Sequence, residues 1–224
     1  MSETIRERAT AVTDQKTHWE HVYRTKRPTE VSWYQREPLL SLELIRRAVP
    51  ARPARIIDVG GGASTLADGL LHAGYTNFTV LDLSATALAE SRARVGDAAA
   101  RVQWLEDDVL NATLPEAAYD LWHDRAVFHF LTNAADRAAY VAQVRRAVRP
   151  GGHVLVATFA EDGPLKCSGL PVARYSPETL HHEFDGGFEL VESVREHHVT
   201  PGGSTQSFLY CLCRFVPHRS SRAA

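Results

Sequence analysis

Apolar residues recur along the chain in two alternating rhythms. Short apolar runs at 56–59, 78–81, 102–105, 119–122 and 153–159 have the length and character of buried strands. Longer stretches between them carry helical spacing, with Ser84 and Asn133 in position to cap the helices at 85–95 and 134–148. Strand and helix in strict alternation predict an α/β fold, a doubly wound and mostly parallel sheet with helices on both faces. After residue 160 the alternation stops. A loop at 160–175 leads to a short helix with Ser176 as cap and Pro177 in its first position. Two long strand-like runs at 188–199 and 204–215 follow, joined by Pro201-Gly202-Gly203. So short a link closes only a hairpin, so this C-terminal pair is antiparallel and brings the sheet to seven strands.

The N-terminal segment has its own pattern. Residues up to 13 are polar and read as loose; from 14 to 27, Trp19, Val22 and Tyr23 are helically spaced, and Pro28 ends the run. A second helix is expected from Pro38, placing Leu39, Leu42, Ile45 and Val49 on one side. Without internal repeats or low-complexity linkers, the chain reads as a single domain. It divides into an N-terminal helical segment at 14–50, a core at 55–215 and a tail at 216–224.

Composition narrows the function classes. The 224 residues are 44% hydrophobic and 23% charged, which suits a packed globular core. A formal charge of −2 gives no field to attract nucleic acid or an acidic membrane surface. The polar start resembles no signal peptide and no run is apolar enough to span a bilayer, so a soluble cytoplasmic location is expected. Cys167, Cys211 and Cys213 make neither a disulfide framework nor a zinc-ligand spacing, and no metal site is expected.

The most informative motif is Asp58-Val59-Gly60-Gly61-Gly62-Ala63-Ser64, between the first strand and its helix. Glycine lets the backbone approach a ligand closely, and amides exposed at a helix start attract polar groups. The plainer alternative is a tight strand-to-helix turn. Asp82 ends the second strand about twenty residues on, where such sheets bind ribose hydroxyls. Its competing role is to cap the next helix, which Ser84 can do instead. Asp107-Asp108-Val109 closes the third strand, where a carboxylate can accept a bond from an exocyclic adenine amine; a solvated loop pair is the alternative.

Together these residues resemble the class I S-adenosylmethionine-dependent methyltransferases. The likeness rests on Asp58, Gly60 and Gly62 after the first strand, Asp82 at the end of the second, Asp108 after the third, and the terminal antiparallel hairpin. Ser64 stands where many members carry a third glycine. The resemblance implies a Rossmann-like fold and S-adenosylmethionine as cofactor, held by Asp58, Gly60, Gly62, Asp82, Leu83, Asp108 and Val109. Trp19, Tyr23, Trp33 and Tyr34 resemble the aromatic segments that thiol-type and lysine-directed members fold over the cofactor. The resemblance implies that residues 14–50 form a lid with Trp19 and Trp33 near the sulfonium, in a cation–π contact; ordinary core packing of the first helices is the alternative for these aromatics.

Residues 123–129, His-Asp-Arg-Ala-Val-Phe-His, fall where the superfamily presents substrate-facing groups. Asp124 is the candidate to orient or deprotonate an acceptor, and His129 the candidate general base. Arg125 suits a substrate carboxylate, and Tyr34, Cys167 and His198 complete the expected acceptor contacts. Structural packing is the competing role for His129, Cys167 and the pair Cys211 and Cys213. The expected activity is methyl transfer to a nitrogen, oxygen or sulfur of a small molecule. A protein lysine methyltransferase is an alternative carried by Ser32-Trp33-Tyr34, although Asp124-Arg125 departs from the Asp-Lys-Gly pattern expected there. A catalytically inert cofactor-binding module is the third reading. The pattern fixes neither the acceptor nor the oligomeric state.

Overall fold

The computed structural model describes residues 3–217, with side chains from residue 14 onward. Among the described residues nine strands are formed: β1 Ile56–Val59, β2 Phe78–Asp82, β3 Val102–Glu106, β4 Tyr119–Arg125, β5 Val148–Phe159, β6 Lys166–Cys167, β7 Leu170–Pro171, β8 Phe188–Val199 and β9 Thr205–Phe215. The helices are α1 Glu3–Thr25, α2 Leu39–Ala48, α3 Leu66–His72, α4 Ala85–Val95, α5 Ala134–Ala147 and α6 Pro177–Glu183. Seven strands make one sheet in the order β3-β2-β1-β4-β5-β9-β8, in which only β9 runs against its neighbours. This is the expected doubly wound sheet with a C-terminal antiparallel hairpin.

Alternation along the strands feeds two cores. One face carries Ile57, Val59, Leu81, Trp122, Val154 and Val156 against α5 and α6; the other carries Ile56, Val80, Leu121 and Leu155 against α2, α3 and α4. Ser84 and Asn133 cap α4 and α5 through Ala87 N–H and Asp136 N–H, as the sequence predicts. Strand order reverses between β1 and β4, which opens a crevice at the carboxyl ends of these two strands.

Several boundaries differ from expectation. The α1 backbone is helical from Glu3, well before residue 14. In α2, Pro38 is the cap and not the first helical residue, Leu39 is 64% exposed, and the buried residues are Ser41, Leu44 and Ile45, on the face packed against the core that includes Leu66, Leu70 and Leu155. β4 runs three residues past Trp122, so His123, Asp124 and Arg125 lie within the strand, held there by β1 and β5. β5 begins at Val148, which already pairs with Tyr119. The 160–175 loop contains the β6–β7 hairpin, whose turn residues Ser168 and Gly169 have φ of +50° and +81°. Most of the predicted tail, residues 218–224, lies outside the described residues.

Candidate active site

The crevice is a cavity floored by the strand ends. Val59 ends β1 and Gly60 follows it, Leu81 and Asp82 end β2 and Leu83 follows, residues 107–110 follow β3, and Arg125 ends β4 with Ala126 and Val127 after it. Trp19 and Tyr23 of α1, Trp33 of the strap between α1 and α2, Phe130, Cys167 and Leu170 close its other side. A second cavity adjoins it, sharing Tyr23, Trp33, Val59, Gly60 and Arg125, and adding Asp58, Tyr34, Ser41 and His123.

Glycine geometry builds the floor. Gly60 has φ +67°, and a Cβ there would sit 2.0 Å from Val127 Cγ2; a Cβ on Gly62 would sit 2.5 Å from Asp82 Oδ2. Gly62 N–H donates to Asp82 Oδ2 at 2.9 Å and Ser84 N–H to Oδ1 at 2.8 Å. These bonds aim the carboxylate at the cavity and leave each oxygen a further lone pair. Burial pushes the Asp82 carboxyl up to about 6. Asp108 is held by Leu110 N–H at 3.0 Å and Asn111 Nδ2 at 2.6 Å. Asp58 Oδ2 is buried without a hydrogen-bond partner, a costly state for a carboxylate oxygen.

The wall facing the strand ends is an aromatic box. Trp19 meets Trp33 at 5.8 Å, Phe130 at 5.2 Å and Tyr23 at 6.4 Å between ring centroids, and all four line the cavity. Glu20, the neighbour of Trp19, accepts from Ser84 Oγ at 2.9 Å and Thr86 Oγ1 at 2.5 Å, tying α1 to the start of α4 where the helix dipole favours an anion.

Residues 56–152 match the family described as a methyltransferase domain. The chain is 31% identical over 194 residues to an uncharacterized methyltransferase of Mycobacterium tuberculosis, covering 75% of this chain and 88% of that one. The chain belongs to the class I S-adenosylmethionine-dependent methyltransferases. It is also 31% identical over 112 residues to the ubiquinone/menaquinone biosynthesis C-methyltransferase UbiE of Methylobacterium nodulans, a match spanning 49% of this chain and only 43% of that protein. Its fold is shared with the Burkholderia thailandensis 1,6-didemethyltoxoflavin-N1-methyltransferase, solved with 1,6-didemethyltoxoflavin and S-adenosylhomocysteine, at a TM-score of 0.66 and 20% identity over 96% of this chain and 92% of that one.

The structure brings most of the methyltransferase's expected site residues together and leaves others apart. Trp19, Trp33, Gly60, Asp82, Leu83, Asp108, Val109, Arg125 and Cys167 line the main cavity; Asp58 and Tyr34 line the adjoining one. Gly62 lines neither and serves through its amide to Asp82.

Asp124 and His129, expected as acid–base groups, are fully buried and line neither cavity. Asp124 accepts from Val127 N–H, Phe128 N–H and Tyr140 Oη–H at 2.8, 3.0 and 2.6 Å, which fixes the turn where Ala126 takes φ +73°. Its carboxyl is raised to about 6 by burial. His129 packs edge-on against Phe130 and tilted against Phe159, and burial pushes its imidazole down to about 3, so it stays neutral.

Arg125 reaches the cavity with its donors engaged: Nε to Tyr210 Oη at 2.8 Å, Nη1 to the Trp33 carbonyl at 3.0 Å and Nη2 to Glu196 at 3.3 Å. It clamps the strap where a substrate carboxylate was expected. His198 lies outside both cavities and donates through Nε2 to the Ser32 carbonyl at 2.8 Å, a second tie on the same strap. Burial pushes the Cys167 thiol up to about 12, so it lines the cavity as a neutral group. Sequence reasoning gave no role to Glu20, Gln35, Ser41 or Glu196, whose partners are remote in sequence. Among the described residues no cluster of His, Cys, Asp and Glu can hold a metal ion, and no helix is long and apolar enough to cross a membrane.

Proposed function

We propose that this enzyme transfers the methyl group of S-adenosylmethionine to a small-molecule acceptor enclosed beneath the aromatic lid. The cofactor supplies an already activated methyl, so the chain's own work is alignment and exclusion of water. Asp82 is suited to accept from the ribose hydroxyls, Asp108 from the adenine amine and the free Asp58 oxygen from the ammonium, with Leu83 and Val109 against the base. Trp19 and Trp33 turn aromatic surface toward the reacting end.

The observation that carries the small-molecule reading is the closure of that end by Trp19, Tyr23, Trp33, Phe130, Cys167 and Leu170, with the strap fastened over it. A lysine on a protein surface would have to enter past the strap. With Asp124 and His129 outside the cavity, the acceptor presents its own lone pair, which suits a nitrogen or sulfur nucleophile.

The test is a panel of thiols, amines, phenols, carboxylates and lysine-bearing proteins incubated with S-adenosylmethionine, scored by release of S-adenosylhomocysteine. Turnover with a low-molecular-weight acceptor is expected; turnover confined to proteins would replace this reading with the lysine-directed one.

A further inference from the structure

Beneath the second cavity, three buried polar side chains from three elements form one hydrogen-bonded row. Ser41 lies in α2, His123 in β4 and Asp58 in β1, at 1%, 3% and 2% exposure. The β1–β4 register sets Asp58 directly across from His123, so both side chains leave the same face of the sheet. His123 Nδ1 stands 2.7 Å from Asp58 Oδ1, and Nε2 stands 3.0 Å from Ser41 Oγ.

Chemistry fixes the direction of the first bond: a carboxylate only accepts, so Nδ1 donates to Asp58 Oδ1. Nε2 pairs with the Ser41 hydroxyl on the other side of the ring. One carboxylate oxygen is thereby pinned. The other, Oδ2, is left buried and unpartnered, in a side chain that belongs to the lining of the second cavity. Gly61 makes room for it: a Cβ there would come within 2.2 Å of Oδ2. An unpaired carboxylate oxygen in so dry a place is costly unless a ligand completes it.

We propose that His123 and Ser41 are positioning residues that hold the Asp58 carboxylate in place, with Oδ2 left free for the ammonium of the cofactor's amino-acid end. This rests on the cofactor role given to Asp58 above. The row also ties the cofactor's ammonium site to α2 through Ser41. No proton leaves the row; it acts by orientation alone.

The test compares two ligands by calorimetry. S-adenosylhomocysteine has the amino-acid end; 5′-methylthioadenosine keeps the adenosine and the sulfur without it. In His123→Ala, S-adenosylhomocysteine should bind about 10–100-fold more weakly while 5′-methylthioadenosine stays within about threefold, the scale of losing an orienting partner behind a ligand-binding group. His123→Asn, whose amide can donate to Oδ1 from near the Nδ1 position, should recover most of that loss. Ser41→Ala should shift the same ligand in the same direction by about three- to tenfold, roughly one neutral hydrogen bond.

Equal losses for both ligands, or an unchanged ratio between them in folded Ser41→Ala, would overturn the proposal. If His123→Ala does not fold, His123→Asn and Ser41→Ala decide it by the same ratio. Failure of the wild-type chain to bind S-adenosylhomocysteine at all would instead remove the cofactor reading on which the proposal stands.

Discussion

Asp82 ends β2 with one backbone amide on each carboxylate oxygen and its free lone pairs toward the cavity. Its raised carboxyl, at about 6, gives a signed prediction. Ribose hydroxyls donate to the ionised form, so binding lowers this pKa. Cofactor affinity is then full above about pH 6 and falls as pH drops through it, by at most about tenfold per unit. Titrating S-adenosylhomocysteine between pH 5 and 8 checks this, and Asp82→Asn should flatten the acid limb and cost about 10–100-fold at neutral pH. A second residue-scale prediction concerns the buried group that the catalytic expectation misplaced. Tyr140 Oη donates to Asp124 and accepts from Trp122 Nε1 at 2.8 Å. Tyr140→Phe should lower unfolding free energy by about 1–3 kcal/mol, read by denaturant titration, because it strands two buried polar partners.

At the scale of elements, the strap between α1 and α2 is held by side chains that donate to its carbonyls. His198 takes Ser32 O, Arg125 takes Trp33 O, Thr65 takes Gln35 O at 2.9 Å, and the Gln35 side chain reaches Glu196 at 2.9 Å. Arg125→Lys cannot span Tyr210, Trp33 and Glu196 with one ammonium. Amide exchange in residues 31–36 should accelerate by about tenfold or more while β1 to β5 keep wild-type protection; uniform exchange would show that the strap is fixed by other contacts.

The strap also marks where the sequence stopped being legible. Strands β1, β2 and β8 and the caps Ser84 and Asn133 are written locally, in apolar runs and a polar residue before a helix. His123, Asp124 and Arg125 extend β4 because Asp58, Tyr140 and Glu196 satisfy them from 65, 16 and 71 residues away, which no local pattern announces. For the same reason a polar cluster after an apolar run suggested acid–base chemistry, while burial made Asp124 and His129 structural. The β6–β7 hairpin was hidden by its two-residue strands, and Cys167 with Leu170 reaches the cavity only through it.

For the whole molecule, two cores on opposite faces of one sheet leave the ligand edge as the place where polar groups gather. All three cysteines are buried, each raised to about 12. Iodoacetamide at neutral pH should leave the folded chain essentially unmodified and add three groups after unfolding; rapid native labelling of Cys167 would show that the lid opens to solvent.

The central claim, that an adenosyl cofactor lies along the carboxyl edge of β1, β2 and β3 under the aromatic lid, is tested most directly by a crystal structure with S-adenosylhomocysteine. The ribose hydroxyls should lie within hydrogen-bonding distance of Asp82, the adenine beside Asp108 and the sulfur facing Trp19 and Trp33. Ligand density away from Asp82 and the Gly60–Gly62 turn would contradict the account.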